Sequence, residues 1–208
     1  MIDRQLIKEI FAELPTLQTE RLIFRKMALE DASDMFEYAS DSELAKFFRW
    51  DFHKSVEDSQ RYLIGMNQRY ADKDVSEWGI VLRDTNKFIG TGGFLWWATK
   101  IGAAELAFCI SRKYRDRGLE YEIIKEISQF GFDKMNLNRI EIRCRVENYS
   151  LDRILQRIGM TFEGIVLQRV LAKNFRILNY NLKIYVFSIN EYYDWIKKKA
   201  EIKEIRKE

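Results

Sequence analysis

The chain has one proline in 208 residues, two cysteines, one histidine and almost no excess of either charge. Each scarcity excludes something. Cys109 and Cys144 are too few for a disulfide framework or a four-cysteine metal site, so both read as reduced core thiols and no metal is expected. His53 sits beside acids in a loop and reads as a loop residue rather than a catalytic base. Lys and Arg number 35 against 32 Asp and Glu, and a net charge of +3 does not mark a nucleic-acid binder. No stretch approaches the ~18 apolar residues of a membrane span, so the chain reads as soluble and cytoplasmic. Low-complexity linkers and internal repeats are also missing, which favours one globular unit.

What is present is material for a core: 47% of residues are hydrophobic and 14% aromatic. Ile2, Leu6, Ile7, Ile10, Phe11 and Leu14 recur at helical spacing before Pro15. Residues 1–18 are therefore expected to form an accessory helix, packed on the chain itself or on a partner subunit in a homodimer. A single domain is expected over 19–189. Strands are predicted at 21–27, 78–82, 88–96, 104–110, 140–146, 160–171 and 177–187, and helices at 29–38, 55–70, 119–135 and 151–158. Ser55 with Asp58 resembles a capping box, and Asp84-Thr85-Asn86 a hairpin turn. The charged tail 190–208 reads as a solvated helix. The order β-α-α-β-β-β-α-β-α-β-β is that of a mixed α/β fold: one mixed sheet with helices on its faces.

The segment with most chemistry runs from Ser111 to Leu119, where Arg112, Lys113, Arg115 and Arg117 surround a single acid, Asp116, just before a long helix. Unpaired N–H groups at a helix start, basic side chains and a flexible Gly118 together suit a phosphate. A solvated turn has the same composition. Glu105 lies in an otherwise apolar strand, where an unpartnered carboxylate is costly. It is either paired with an arginine such as Arg143 or Arg145, or it is catalytic. Asn148 either caps the helix that follows or contacts a ligand. Trp96 and Trp97 must face opposite sides of their strand, and Phe47-Phe48-Arg49-Trp50 reads as core or pocket wall.

The loop Arg115-Asp116-Arg117-Gly118 resembles the pyrophosphate loop of the GNAT superfamily of N-acetyltransferases, whose pattern is Gln/Arg-x-x-Gly-x-Gly/Ala. The likeness continues through Leu17-Gln18-Thr19-Glu20-Arg21-Leu22, Phe88-Ile89-Gly90-Thr91-Gly92-Gly93, Glu147-Asn148, Ile158 to Gly164 and Ile189-Asn190-Glu191-Tyr192. It is similar to the branch that acetylates ribosomal-protein N-termini. The resemblance implies a splayed mixed sheet that holds acetyl-CoA, with an amine acceptor that is either a peptide N-terminus or a small molecule. By the same resemblance, Glu105 takes the amine's proton, while Phe108, Cys109, Ile110, Arg115, Asp116, Arg117, Gly118, Leu119 and Asn148 contact the cofactor. Three positions depart from the pattern. Glu120 stands where a small residue is expected, Asp116 occupies a place often taken by glycine, and Leu151 replaces a serine near the cofactor sulfur. Glu120 and Leu151 motivate an alternative, a non-catalytic binding protein of the same fold.

Overall fold

The computed structural model of the protein describes residues 9–46, 51–72, 76–171 and 177–205. Ile2, Leu6, Ile7 and the segment Phe47 to Trp50 lie outside them. The strands are β1 (Leu17–Gln18), β2 (Leu22–Arg25), β3 (Glu77–Leu82), β4 (Phe88–Ala98), β5 (Ala103–Ile110), β6 (Arg139–Arg145), β7 (Thr161–Leu171) and β8 (Ile177–Ser188). The helices are α1 (Ala32–Ala39), α2 (Ser42–Ala45), α3 (Val56–Ala71), α4 (Leu119–Asp133), α5 (Tyr149–Ile158) and α6 (Ile189–Ile205). The expected order is present, with β1 and α2 as short additions. Among the described residues, no helix is long and apolar enough to cross a membrane.

All eight strands join in one sheet, ordered β1-β2-β3-β4-β5-β6-β8-β7. Every neighbouring pair is antiparallel except β5 and β6, which α4 connects as a parallel pair. That pair is short: Ala103, Ala104 and Glu105 match Arg139, Ile140 and Glu141, and the ladder then ends. Beyond Glu105, β5 follows β4 to Ile110, whereas β6 follows β8 to Arg145. The sheet is thereby split by a wedge that opens at Glu105.

The two faces carry different helices. On one, Phe130 of α4 meets Trp78 edge-on at 5.3 Å, and Phe11, at the end of a helical stretch over 9–12, stacks on Trp97 at 5.7 Å. The opening segment thus packs into the chain's own core through Phe11 and Leu14. On the other face lie α1 and α3, and Tyr70 of α3 donates to the Glu77 carbonyl at 2.8 Å. At the start of α3, Asp58 accepts the Ser55 N–H at 3.3 Å, as the capping pattern predicts. The tail departs from its reading as a solvated helix. The first turns of α6 bury Tyr192 and Trp195, and Tyr192 packs on Phe132 and Phe187. Its aromatics outweigh the charge pattern that suggested full solvation.

Two glycines of β4 are required by backbone approach. A Cβ on Gly90 would lie 2.0 Å from the Cys109 carbonyl oxygen, and one on Gly93 would lie 2.0 Å from that of Ser76. Neither neighbour can yield, since both are main chain. Gly93→Ala is therefore expected to force β3 from β4 and cost about 3 kcal/mol or more, in the upper range for single substitutions. Urea denaturation checks this; a loss below about 1 kcal/mol would show that the strands tolerate the methyl group.

Candidate active site

The wedge and the face under α1 and α3 form one cavity of about 390 Å³, within the range of small-molecule sites. Its walls include Tyr38, Tyr62, Glu77, Thr91, Glu105 and Arg143. Glu105 sits where the β5–β6 ladder ends, and its residue is only 9% exposed. Its carboxylate accepts Trp96 Nε1–H at 2.6 Å, and Arg143 Nε lies 3.6 Å away. The expected alternation of the tryptophans is present: Trp96 reaches Glu105, while Trp97 joins the aromatic cluster on the opposite face. Arg143 also bonds Glu141 at 3.1 Å, so it is not committed to Glu105 alone. Glu105 therefore has an arginine counter-charge and also lines the cavity.

Phe108 and Cys109 continue the wall beyond Glu105, whereas the Ile110 and Leu119 side chains are buried in the core. The backbone edge of β5 beyond Glu105 has no β6 ladder partner. Such an edge can offer N–H groups to a ligand oxygen. Burial pushes the Cys109 thiol up to about 12, against the pull of Arg115. Burial likewise raises Cys144, to about 11. Neither thiol is a ready nucleophile at neutral pH. Asn148 caps α5, its side chain accepting the Leu151 N–H at 3.2 Å, and it also lines the cavity. Leu151 lies on the same wall, while Tyr149 is 67% exposed.

At the wedge's open end, β5 leads through a 3-10 turn (Arg112–Tyr114) into the start of α4. Gly118 precedes α4 with φ +75°, and Asp116 has φ +59°, so the backbone is left-handed at the pattern's glycine and at Asp116, a place often taken by glycine. Arg112 pairs with Asp41 at 2.8 Å, and Lys113 with Glu37. Among the described residues, Arg115 and Arg117 form no ion pair; Arg117 lies over the Tyr114 ring at 5.5 Å. Glu120 is only 4% exposed, and its carboxylate turns back into the loop, 3.4 Å from the Asp116 N–H. A carboxylate of the chain thus already approaches a loop N–H that suits an anion.

A profile of the acetyltransferase (GNAT) domain matches residues 21–161. The chain belongs to the GNAT acetyltransferase family. It is 30% identical, over 85% of its length and 96% of the relative's, to the uncharacterized N-acetyltransferase p20 of Bacillus licheniformis. Among solved structures, it resembles a GNAT-family acetyltransferase from Bacillus anthracis, with TM-score 0.70, 24% identity and coverage of 84% of this chain and 98% of that one. It also resembles the microcin C7 self-immunity acetyltransferase MccE in complex with acetyl-CoA and AMP, with TM-score 0.67, 18% identity and coverage of 82% and 94%. Like other GNAT acetyltransferases, the protein is an acetyl-CoA-dependent N-acetyltransferase.

Some parts of this GNAT site had no clear signal in the sequence. Thr19 and Arg21 belong to the resembling first strand, and the structure gives them a task. Arg21 Nη1–H donates to the Arg117 carbonyl at 2.8 Å, and its Nε pairs with Glu122 at 2.5 Å, while Thr19 bonds the same carboxylate at 2.6 Å. The start of the domain therefore braces the loop before α4. Glu77 is a second carboxylate in the cavity, and it was hidden because it precedes the apolar run Trp78 to Leu82. His53 lines the cavity, with Nδ1 2.8 Å from Ser59 Oγ. Burial lowers its pKa, and Asp58 partly opposes this.

Proposed function

We propose that the protein acetylates an amine held in this cavity by direct transfer, with Glu105 as the base. The observation that carries the proposal is the placement of Glu105: a buried carboxylate at the mouth of the wedge, on the wall of the cavity beneath α1 and α3. When bound, acetyl-CoA supplies an activated acyl group. The residues available to hold it are Arg115 and Arg117, the loop backbone from Asp116 to Leu119, the β5 edge at Phe108 to Ile110, and Asn148.

The chain's own contribution follows from charge. A protonated amine has no lone pair, so Glu105 must take a proton before or during attack, directly or through water. An α-amine, with pKa near ~8, is far easier to deprotonate at neutral pH than a lysine near ~10.4. This favours a peptide N-terminus, in line with the resemblance to the ribosomal-protein branch, or a small amine of similar basicity. The leaving thiol, near ~8.5 if it behaves like cysteine, departs without an obligatory acid, so Leu151 in place of serine is compatible with turnover. Amine-dependent release of free coenzyme A, with the acetylated product identified by mass, tests the proposal. Release that does not depend on any amine would refute it.

Glu120 is expected to restrain cofactor affinity, since its buried carboxylate faces the loop proposed to hold a pyrophosphate. Glu120→Gln keeps an oxygen that can accept the Asp116 N–H but removes the charge. Its dissociation constant for coenzyme A should fall about tenfold, the equivalent of ~1.4 kcal/mol. Isothermal titration reads this directly, and an unchanged constant would place the pyrophosphate away from Glu120.

A further inference from the structure

Glu77 stands on the same face of the sheet as Glu105. Glu77 is paired with Gly93, and Gly93 with Ala107, which is two residues along β5 from Glu105. Paired residues share a face, as do residues two apart. Two strand spacings and two residue rises put the Cα atoms of the carboxylates roughly 12 Å apart. The row between them is Gly93, which has no side chain, and Ala107, which has only a methyl group, and both line the cavity.

The surroundings of Glu77 are also distinctive. The hydroxyl residues Thr91 and Tyr62 share its cavity wall, and burial raises its pKa against their lowering influence. The cation acting on it, Arg69, works across space from an exposed position on α3. A carboxylate has about four acceptor sites, so two hydroxyls leave some unfilled. Glu105, in contrast, already has Trp96 and Arg143. A half-buried carboxylate beside neutral hydroxyls gains from a cation brought in by a ligand.

We propose that Glu77 binds a second amino group of the acceptor, so that the preferred substrate is an amine carrying another cationic nitrogen beyond the one that is acetylated. This rests on the assignment of Glu105 as the base. With parallel side chains and a hydrogen bond of ~2.9 Å at each end, about 6 Å remains between the two nitrogens. That is the span of a short aliphatic diamine. A lysine next to a peptide N-terminus presents the same chemistry.

The test measures kcat/KM for matched pairs: diaminobutane against aminobutane, and alanyl-lysine amide against alanyl-norleucine amide. The wild-type protein should favour the member with two amino groups by roughly tenfold or more in at least one pair, mainly through KM. Which pair shows the preference tells free diamine from peptide. In Glu77→Gln the ratio should collapse towards unity, and in Glu77→Asp the preference should return, shifted to a longer diamine. A purely structural role would not move chain-length preference. A ratio near unity in the wild type, or the same ratio in wild type and Glu77→Gln, overturns the inference alone. Absence of turnover with every amine overturns the acetyl-transfer proposal and this inference with it.

Discussion

Glu105→Gln is expected to lower the rate of acetyl transfer at neutral pH by roughly 10²–10⁴-fold, the range for losing a general base, while coenzyme A affinity changes little. Gln keeps the shape and can still accept the Trp96 Nε1–H that Glu105 accepts at 2.6 Å. What it cannot do is take a proton. Raising the pH should recover part of the loss, because a growing share of the acceptor is then already neutral. The competing view makes Glu105 half of a buried ion pair with Arg143, 3.6 Å away. Breaking a buried pair typically costs about 3–5 kcal/mol. Arg143 retains Glu141 at 3.1 Å, so the catalytic account expects only a small change in melting temperature. A variant that melts far earlier with no pH rescue, or one that is fully active, would remove Glu105 from the mechanism.

The double substitution Arg115→Ala/Arg117→Ala should raise the dissociation constant of coenzyme A by roughly 10–100-fold and flatten its dependence on salt. A hydrogen bond to a charged group contributes ~1.5–3 kcal/mol, reduced here because these side chains are partly or fully exposed to solvent. Arg112 and Lys113 provide the internal comparison. They already face Asp41 and Glu37, so Arg112→Ala should change affinity far less. Titration at two ionic strengths measures both effects. Equal, small losses in all the variants would mean that the loop does not hold the pyrophosphate.

The fold was legible in the sequence because its elements follow simple periods. The apolar face of α4, the hairpin at Asp84 to Asn86 and the alternation at Trp96 and Trp97 all depend on neighbours within a few residues. The order of elements suggested a mixed sheet; the resemblance supplied its splay. The short β5–β6 ladder that opens the wedge depends on contacts between segments 36 residues apart, and local patterning does not encode where such a ladder stops. The candidate site was legible where one residue was out of character, as Glu105 is in its apolar strand. Glu77 lacked that contrast, since it stands at a strand's end, and its place in the cavity depends on α3 packing beside it. The direction of Glu120 was equally hidden. An acid in the first turn of a helix is favourable whether it faces solvent or the loop, and only the folded backbone turns it inward. The tail was misjudged as solvated because its charges outnumber Tyr192 and Trp195, which nevertheless reach the core.

The central claim is direct transfer from thioester to amine within the cavity. Its chief mechanistic rival uses Cys109, which lines that cavity and could in principle carry the acetyl group. Burial pushes that thiol up to about 12, which leaves very little thiolate at neutral pH. Initial rates measured over a grid of acetyl-CoA and amine concentrations separate the two routes most directly. Direct transfer predicts intersecting double-reciprocal lines, with no acetylated protein detected by mass when amine is withheld. Parallel lines, together with an acetyl group on Cys109, would contradict the account.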